Sequence, residues 1–221
     1  MIWLINNKES GDKMFWAIIP AAGQGRRMGG REKPLLELHG KPLIAYSLEI
    51  LSDNRKCEGI IVATPPGKTE QWRSLLSPFL LRNVEFTCIE GGESRQESVY
   101  NAVSFLYYNF YSYRRADFPV VVHDAARPFL TDALLTQSLL AAEETGACGV
   151  GIPVVDTLKV VDDNGFIEKT LDRNKLWAIQ TPQTFRFSLL HEVHERAKKE
   201  KIRGTDDCIL AEYYGYKVKM I

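Results

Sequence analysis

The chain has 221 residues, of which 45% are hydrophobic and 25% are charged, as in globular proteins with one sizeable core. Its 28 basic and 28 acidic residues give a formal net charge of zero, which excludes a bulk attraction to nucleic acid or to an anionic membrane. No apolar run approaches the ~18 residues that span a bilayer, and the four scattered cysteines form no C-x-x-C pair. We therefore expect a cytoplasmic protein with reduced thiols and with neither nucleic-acid nor membrane partners.

Short apolar strands alternate with helical segments along the chain. Strands are predicted at residues 15–20, 59–64, 84–90, 118–123, 147–152 and 216–221. Helices are predicted at residues 43–51, 71–81, 94–108, 131–145, 187–199 and 205–214. The alternation predicts an α/β fold with a mostly parallel sheet covered by helices on both faces, and ligands bind beyond the carboxyl ends of such strands. A single domain is expected at residues 14–221, after an N-terminal extension at residues 1–13 for which disorder is one interpretation.

One segment departs from this alternation. The extended runs 156–161 and 166–171 flank Asn164-Gly165, and Asn-Gly between extended runs is a strong hairpin signal. An isolated hairpin is marginal in water, so the segment either lies on its own domain or embraces a partner. We favour a protruding β-arm at residues 154–175 and hence a homodimer.

A loop of small residues follows the first predicted strand and is itself followed by two arginines. Glycine and alanine let a backbone approach a ligand closely, and backbone N–H groups together with guanidinium groups make a polyphosphate site. Two common phosphate motifs do not match, because Met28 replaces the third glycine of the dinucleotide fingerprint and Gly30-Arg31-Glu32 replaces the Walker Gly-Lys-Ser/Thr. The alternative interpretation is an ordinary strand-to-helix turn. The candidate residues are Ala21, Ala22, Gly23, Gly25, Arg26 and Arg27.

A second glycine turn, Gly91-Gly92, precedes another predicted helix. The glycines allow close approach of a flat ring or a ribose, and the Ser98 hydroxyl is a candidate partner for a base edge. The alternative is a plain helix entry, with Ser94 as the N-cap and Glu97 completing a capping box. Both interpretations are compatible, because they use different atoms.

Asp124 follows an apolar predicted strand, where an α/β enzyme presents a carboxylate ligand for Mg²⁺. The alternative is a helix cap or a partner of Arg127, and the residues alone do not separate the two. His123 is interpreted as a structural histidine. His191 and His194 fall one residue short of the H-E-x-x-H spacing and are interpreted as part of a helix face.

Taken together, these segments resemble the 2-C-methyl-D-erythritol 4-phosphate cytidylyltransferases of the non-mevalonate isoprenoid pathway. The resemblance runs from about Phe15 to the last residue. Its most specific blocks are His123-Asp124-Ala125-Ala126-Arg127-Pro128 and Thr181-Pro182-Gln183, whereas the first loop is shared by many nucleotidyltransferases. The matching segments are residues 20–28, 91–99, 122–128, 153–159, 176–183 and 205–207.

The resemblance implies a Rossmann-like, three-layer α/β/α nucleotidyltransferase fold. The implied reaction joins CTP to methylerythritol 4-phosphate, giving CDP-methylerythritol and pyrophosphate with the help of Mg²⁺ or another divalent cation. It also implies a homodimer in which the β-arm of one subunit grips the polyol phosphate in its neighbour. A polyol phosphate with a different skeleton, such as ribitol 5-phosphate, is an alternative acceptor, and an inactive dimerisation or regulatory module on the same fold is a second alternative.

Site residues carry over from the family position by position. Catalytic roles are implied for Arg27, Lys33 and Arg173. Nucleotide binding is implied for Ala21, Ala22, Gly23, Gly25, Gly92, Glu93, Ser98 and Ala125. Binding of the acceptor is implied for Asp124, Arg127, Thr157, Arg173, Thr181 and Thr205, with Asp124 also holding the metal.

Three departures from the family pattern are visible. Lys33 is one residue closer to Met28 than the family lysine, because Glu32-Lys33-Pro34 replaces Pro-Lys-Gln. Glu93 stands where the family usually has aspartate. The family carries a lysine for the substrate phosphate in a segment beyond the position of Ile221, so no residue of this sequence is assigned that role.

Overall fold

A seven-stranded sheet forms the centre of the computed structural model, which describes residues 13–23, 32–112 and 117–221. The strands are β1 (Phe15–Pro20), β2 (Glu37–Leu38), β3 (Lys41–Pro42), β4 (Cys57–Thr64), β5 (Glu85–Glu90), β6 (Pro119–Val122), β7 (Ala147–Pro153), β8 (Lys159–Val161), β9 (Ile167–Thr170), β10 (Trp177–Arg186) and β11 (Lys219–Met220). The helices are α1 (Leu43–Asp53), α2 (Thr69–Leu76), α3 (Arg95–Leu106), α4 (Asp132–Thr145), α5 (Phe187–Glu200) and α6 (Asp207–Tyr213).

The central sheet has the strand order β11-β7-β10-β6-β1-β4-β5. Strand β1 pairs in parallel with β4 and β6, β4 with β5, and β7 with β11. Within the central sheet of the described residues, β10 alone runs antiparallel to its neighbours, β6 and β7. The predicted mostly parallel α/β architecture is therefore confirmed.

The core is divided by the sheet into two apolar layers, as the alternation of side chains in a strand requires. Phe15, Ala17 and Ile19 of β1 pack into one layer with helices α1 and α2. Trp16 and Ile18 of the same strand pack into the other layer, which includes residues of α3, α5 and α6. Helices thus cover both faces, which gives the three-layer arrangement.

Strand β10 is absent from the sequence-based prediction. It is the third strand from one edge of the sheet, yet it carries Pro182 and the buried polar side chains of Thr181, Gln183 and Thr184. Proline and buried polar residues both argue against a central strand. The strand is possible because the polar groups find partners: Thr184 Oγ1 donates to Ser138 Oγ at 3.0 Å, and Gln183 Oε1 accepts from backbone N–H groups of α6.

Other differences concern where elements end. The helix predicted at 71–81 stops at Leu76 and continues as a 3₁₀ turn, Ser77–Phe79, because Pro78 cannot donate a helical hydrogen bond. The helix predicted at 94–108 stops at Leu106 and passes into a π-helical turn, Tyr107–Tyr111. The last strand, predicted at residues 216–221, covers only Lys219–Met220.

The Asn-Gly hairpin is confirmed as the two-stranded sheet of β8 and β9, which is separate from the central sheet. Gly165 has a φ of 84°, and Asp162 Oδ1 accepts from the N–H of Phe166 at 2.8 Å to close the turn. The two strands are shorter than the predicted runs. The assignment of residues 154–175 as an arm that embraces a partner stays a prediction.

Candidate active site

The carboxyl ends of β1, β4, β5 and β6 meet at one edge of the sheet. Backbone hydrogen bonds fix the loops that follow them, from Ala21 N to Ala63 O, from Gly91 N to Thr64 O and from His123 N to Ile18 O, at 2.8–2.9 Å. The first loop, the glycine turn and the residues around Asp124 are therefore neighbours. Gly25, Arg26, Arg27, Met28 and the extension at residues 1–12 lie outside the described residues.

The glycine turn is packed directly against the first loop. A Cβ built on Gly91 would lie 2.4 Å from Ala22 Cβ and 2.8 Å from Ser98 Oγ, so no larger residue fits without displacing one of them. The Ser98 hydroxyl is buried, donates to Ser94 O at 2.8 Å and accepts from Gly92 N–H at 3.1 Å. Ser98 thus holds the shape of the turn, and a contact between its hydroxyl and a base stays a prediction.

At the nucleotide site that the family resemblance implies, replacing Gly91 with alanine is expected to weaken CTP binding by up to about a hundredfold, because misplacing a site by about 1 Å can have an effect of that size. Isothermal titration calorimetry with CTP measures the affinity. Gly165→Ala is the control, since alanine is strained at a φ of 84° while the β8–β9 turn belongs to a two-stranded sheet separate from the central sheet. Equal CTP affinity in Gly91→Ala and the unsubstituted protein would contradict the expected role of this close contact.

The N-terminus of α3 has the expected cap with one difference. Ser94 Oγ accepts from Glu97 N–H at 3.1 Å, as an N-cap does. The Glu97 carboxylate accepts from the N–H of Glu93 at 2.9 Å, one residue before the N-cap, and not from the N-cap itself as in a capping box. The cap therefore fixes the backbone of Glu93, while the Glu93 side chain is exposed.

Asp124 lies between two guanidinium groups. Arg95 Nε donates to Asp124 Oδ1 at 2.9 Å, and Arg127 Nε donates to Asp124 Oδ2 at 3.1 Å. The Asp124 side chain is 30% exposed, so its carboxylate borders both the protein and the solvent. Asp124 is thus a partner of Arg127, as the alternative interpretation had it. Each carboxylate oxygen accepts one hydrogen bond and keeps a second lone pair.

The loop under Asp124 is held by His123 and Thr181. His123 Nε2 donates to Arg127 O at 3.0 Å, and Thr181 Oγ1 donates to His123 Nδ1 at 3.1 Å while accepting from Asp124 N–H at 3.1 Å. This pattern requires the Nε2-protonated tautomer, since a carbonyl oxygen only accepts. Burial lowers the pKa of His123, which keeps it neutral and confirms a structural histidine. Because the Thr181 hydroxyl is engaged here, its role toward the acceptor stays a prediction.

A buried ion-pair network, which the sequence did not reveal, continues behind Arg95. Arg95 Nη1 donates to Asp207 Oδ2 at 2.7 Å, and His194 Nε2 lies 3.0 Å from Asp207 Oδ1. Burial opposes ionisation of Asp207, but Arg95 and His194 outweigh it and lower the pKa of this carboxyl to about 2. Burial likewise disfavours the charged guanidinium, but Asp207 and Asp124 raise the pKa of Arg95. His194 is therefore a buried partner of Asp207 and not simply part of a helix face.

Lys33 begins a short 3₁₀ helix, Lys33–Leu35, and its side chain is exposed. The preceding Glu32 pairs with Lys68, which follows the carboxyl end of β4. Leu35 packs against the apolar layer that contains Ala21 and Ala125, two buried residues of the candidate nucleotide site. These contacts bring the Lys33 segment to the same edge of the sheet as the other candidates.

The acceptor candidates Thr157 and Arg173 lie on the hairpin segment, away from the glycine turn along the chain. Both are exposed, and Arg173 Nη1 donates to Val155 O, which bridges the two sides of the segment. Thr205 is exposed directly before Asp206, the N-cap of α6. No contact in the described residues joins Arg173 to Asp124, so the structure leaves these two parts of the predicted site separate within one chain.

Asp124 is the candidate ligand for a divalent cation. The described residues contain no group of three or more His, Cys, Asp or Glu side chains that could enclose a metal. Mg²⁺ does not need such a group, because it keeps several waters and binds through one or two carboxylates and substrate phosphates. A single partly exposed carboxylate with free lone pairs fits this mode.

Comparison with known proteins agrees with these features. The family model IspD, 2-C-methyl-D-erythritol 4-phosphate cytidylyltransferase, matches residues 15–221. The 2-C-methyl-D-erythritol 4-phosphate cytidylyltransferase of Geobacillus thermodenitrificans is 41% identical over 208 residues, which cover 94% of this chain and 87% of the relative.

Two solved structures resemble the chain in three dimensions. The 2-C-methyl-D-erythritol 4-phosphate cytidylyltransferase of Thermus thermophilus superposes with a TM-score of 0.71 at 30% identity, covering 93% of this chain and 86% of that one. The 4-diphosphocytidyl-2C-methyl-D-erythritol synthase of Anaerococcus prevotii has a TM-score of 0.80 at 24% identity, with coverage of 95% and 87%, and supports the fold alone. From the family match and the sequence identity together, the chain belongs to the 2-C-methyl-D-erythritol 4-phosphate cytidylyltransferase family.

Proposed function

We propose that this chain transfers the cytidylyl group of CTP to 2-C-methyl-D-erythritol 4-phosphate, releasing pyrophosphate and forming CDP-methylerythritol. The observation that carries the proposal is the partly exposed Asp124 carboxylate, held between Arg95 and Arg127 beside a packed glycine turn at the carboxyl edge of the sheet. Family membership favours methylerythritol phosphate over ribitol 5-phosphate or another polyol phosphate, and an active enzyme over an inactive module.

The reaction brings two anions together, and no protein nucleophile is needed. A phosphate-monoester oxygen of the acceptor attacks the α-phosphate of CTP, the bond to the β-phosphate breaks, and pyrophosphate leaves with the electron pair. Catalysis of this kind depends on in-line placement and on neutralising the charge that develops. Lys33, with Arg27, would supply fixed positive charge at the α-phosphate, and both residues are assigned from the family resemblance.

Two loops would hold the cytidine end. The small residues of the first loop leave room for the nucleotide, and the turn at Gly91 and Gly92 is held rigid by Ser98. Asp124 would hold Mg²⁺, which when bound neutralises phosphate charge. The proposed nucleotide residues are Ala21, Ala22, Gly23, Gly25, Gly92, Glu93, Ser98 and Ala125.

The acceptor would be bound by residues from two subunits. Apolar side chains stand exposed along the hairpin and the strand that follows it, including Val155 at 76%, Phe166 at 72% and Ile167 at 62% exposure. Such a surface favours burial against a second copy of the chain. Arg127, Thr181 and Thr205 would then meet Thr157 and Arg173 of the neighbouring arm at one acceptor site.

The described residues include no helix that is both long and apolar enough to cross a membrane. The small, charged, water-soluble substrates support a cytoplasmic location for the proposed reaction.

The direct test is a panel of acceptors incubated with the protein, CTP and Mg²⁺. Pyrophosphate release and the mass of the cytidylylated product are followed for methylerythritol 4-phosphate and ribitol 5-phosphate. We expect turnover with methylerythritol 4-phosphate and a lower kcat/KM with ribitol 5-phosphate. Turnover of ribitol 5-phosphate alone would change the acceptor, and no pyrophosphate with any acceptor at high protein concentration would favour the inactive module.

Sharing of sites between subunits predicts that two inactive variants complement each other. Arg173→Ala and Lys33→Ala should each be nearly inactive, but a mixed dimer would contain one site with both residues intact. Random exchange of subunits between equal amounts should restore about a quarter of the unsubstituted activity, since a symmetric dimer has two equivalent sites. The mixture is prepared by co-refolding and assayed for pyrophosphate release.

The matched control mixes Lys33→Ala with Asp124→Asn. Both residues belong to the part of the site that one subunit contributes, so this pair should not recover. Failure of the Arg173 mixture to exceed the control would contradict the arm-exchanged dimer.

A further inference from the structure

Asp124 is held from the protein interior by a guanidinium group that a second carboxylate holds in turn. Arg95 Nε contacts Asp124 Oδ1 at 2.9 Å while Arg95 Nη1 contacts Asp207 Oδ2 at 2.7 Å. The side chains of Asp207 and His194 are each only 1% exposed. A line of contacts therefore runs from the core, through Arg95, to the edge where phosphate groups would bind.

The charges along this line explain why a buried carboxylate is present. An arginine whose charge is not balanced would weaken the attraction between Asp124 and a cation. Asp207 compensates the charge of Arg95 from behind, so Arg95 can orient Asp124 without neutralising it. His194, whose Nε2 donates to Asp207 at 3.0 Å, keeps this buried carboxylate in place.

The second arginine contact of Asp124 is different in kind. Arg127 lies only three residues along the same loop, and its side chain is 41% exposed, against 27% for Arg95. No buried carboxylate in the described residues contacts Arg127. Oδ1 is thus paired with the less exposed arginine, whereas Oδ2 is paired with an arginine in a more exposed ion pair, which contributes less.

We propose that Arg95 and Asp207 are positioning residues for Asp124, with His194 supporting Asp207. Arg95 fixes the orientation of the carboxylate, and Asp207 balances the charge of Arg95 so that Asp124 keeps its affinity for a divalent cation. The inference rests on the proposed function only in taking Asp124 as the carboxylate that holds the cation.

A purely structural ion pair is the competing explanation. The N-terminus of α6 is already secured without Arg95, because Asp206 Oδ1 accepts from Ile209 N–H and Gln183 Oε1 accepts from Asp207 N–H. A structural role would make all forms of ligand binding weaker together when the pair is altered. The positioning role predicts a smaller gain in CTP affinity from Mg²⁺, with the affinity for metal-free CTP equal or increased.

The test is Asp207→Asn, with CTP affinity measured by isothermal titration calorimetry in Mg²⁺ and in EDTA, without acceptor. The amide has the shape of the carboxylate: its oxygen can accept from Arg95, and its NH₂ can donate to His194 Nε2 if the proton moves to Nδ1. That move is available because His194 Nδ1 is buried and has no hydrogen-bond partner among the described residues. The substitution therefore removes the charge while leaving each hydrogen bond a partner.

The expected result has two parts. The gain in CTP affinity that Mg²⁺ provides should fall by about tenfold, because the charge of Arg95 is no longer balanced beside Asp124. Affinity for metal-free CTP should stay equal or increase, since the unbalanced guanidinium attracts the triphosphate. Asp206→Asn is the matched control, because asparagine is an equally good N-cap and Asp206 does not contact Arg95. The gain in CTP affinity from Mg²⁺ in this variant should equal that in the unsubstituted protein.

Two outcomes would overturn the inference. One is an unchanged Mg²⁺ effect in Asp207→Asn, as when affinity falls equally with and without metal, and the other is no Mg²⁺ effect in the unsubstituted protein. If Asp207→Asn does not fold, as judged by circular dichroism, Arg95→Lys decides, because it leaves the buried charges matched but cannot span both carboxylates. In Arg95→Lys, the gain in CTP affinity that Mg²⁺ provides should be at least threefold smaller than in the unsubstituted protein. An equal gain would contradict the proposal. The binding test contains no acceptor, so its result can be interpreted even if none of the acceptors in the panel reacts.

Discussion

Replacing Lys33 with alanine is expected to lower kcat by about 10²–10³ while changing CTP affinity little, because its charge matters most as charge develops at the α-phosphate. The Lys33 side chain is exposed and makes no ion pair within the described part of the chain, whereas the neighbouring Glu32 is paired with Lys68. The ammonium group is thus available to a ligand. Steady-state kinetics with CTP and the acceptor, together with calorimetric CTP binding, separate the two effects.

The control for this prediction is Lys41→Ala. Lys41 follows Lys33 by eight positions, but its ammonium pairs with Glu49 and lies over the Tyr46 ring, so it has a local structural role. We expect kcat within about twofold of the unsubstituted value, as for substitutions away from a site. If Lys33→Ala behaves like Lys41→Ala, the one-residue change in spacing has moved this lysine out of the site.

Asp124→Asn is expected to have an effect of similar size, lowering kcat by at least about 10² at a fixed Mg²⁺ concentration. Arg95 and Arg127 donate to different oxygens of Asp124, so in the amide one of them would face an NH₂ group that cannot accept, and the amide lacks the negative charge that attracts a cation. Raising the Mg²⁺ concentration should recover only part of the activity. Measurements of kcat as a function of Mg²⁺ concentration test both statements.

Asp132→Asn serves as the comparison for Asp124→Asn. Asp132 begins α4 and accepts from Asn54 Nδ2 at 2.9 Å, a contact that does not involve the carboxyl ends of the strands. Its substitution should leave kcat and the Mg²⁺ dependence unchanged. A value of kcat for Asp124→Asn within tenfold of that for Asp132→Asn would show that the carboxylate is not essential.

Local patterns in the sequence were sufficient to predict most elements of the fold. The apolar runs of β1, β4 and β6, the helix periodicities between them and the Asn164-Gly165 turn each depend on neighbouring residues only. Strand β10 was missed because Pro182 and the buried Thr181, Gln183 and Thr184 have no local strand signal. Their partners, such as Ser138 and the start of α6, come from distant parts of the chain.

In the candidate site, too, local sequence patterns predicted some features and missed others. The glycine turn and Asp124 were recognisable as short motifs, and the parallel sheet explains why their loops meet. The Arg95–Asp207 pair was not recognisable, because its two residues are 112 positions apart and no local pattern links one to the other. The Thr205-Asp206-Asp207 block was visible as a match to the family, but the match did not indicate which of its carboxylates is buried.

The amino-acid sequence by itself determined the α/β class, the hairpin and the family, because period, turn residues and motifs are properties of short segments. Only the tertiary structure decided that Asp124 is oriented from behind by Arg95 and charge-balanced by Asp207. The reason is physical: burying charged groups costs free energy, and an ion pair offsets that cost only when its partners and hydrogen bonds are in place, which happens only when α3, α5 and α6 pack on the sheet.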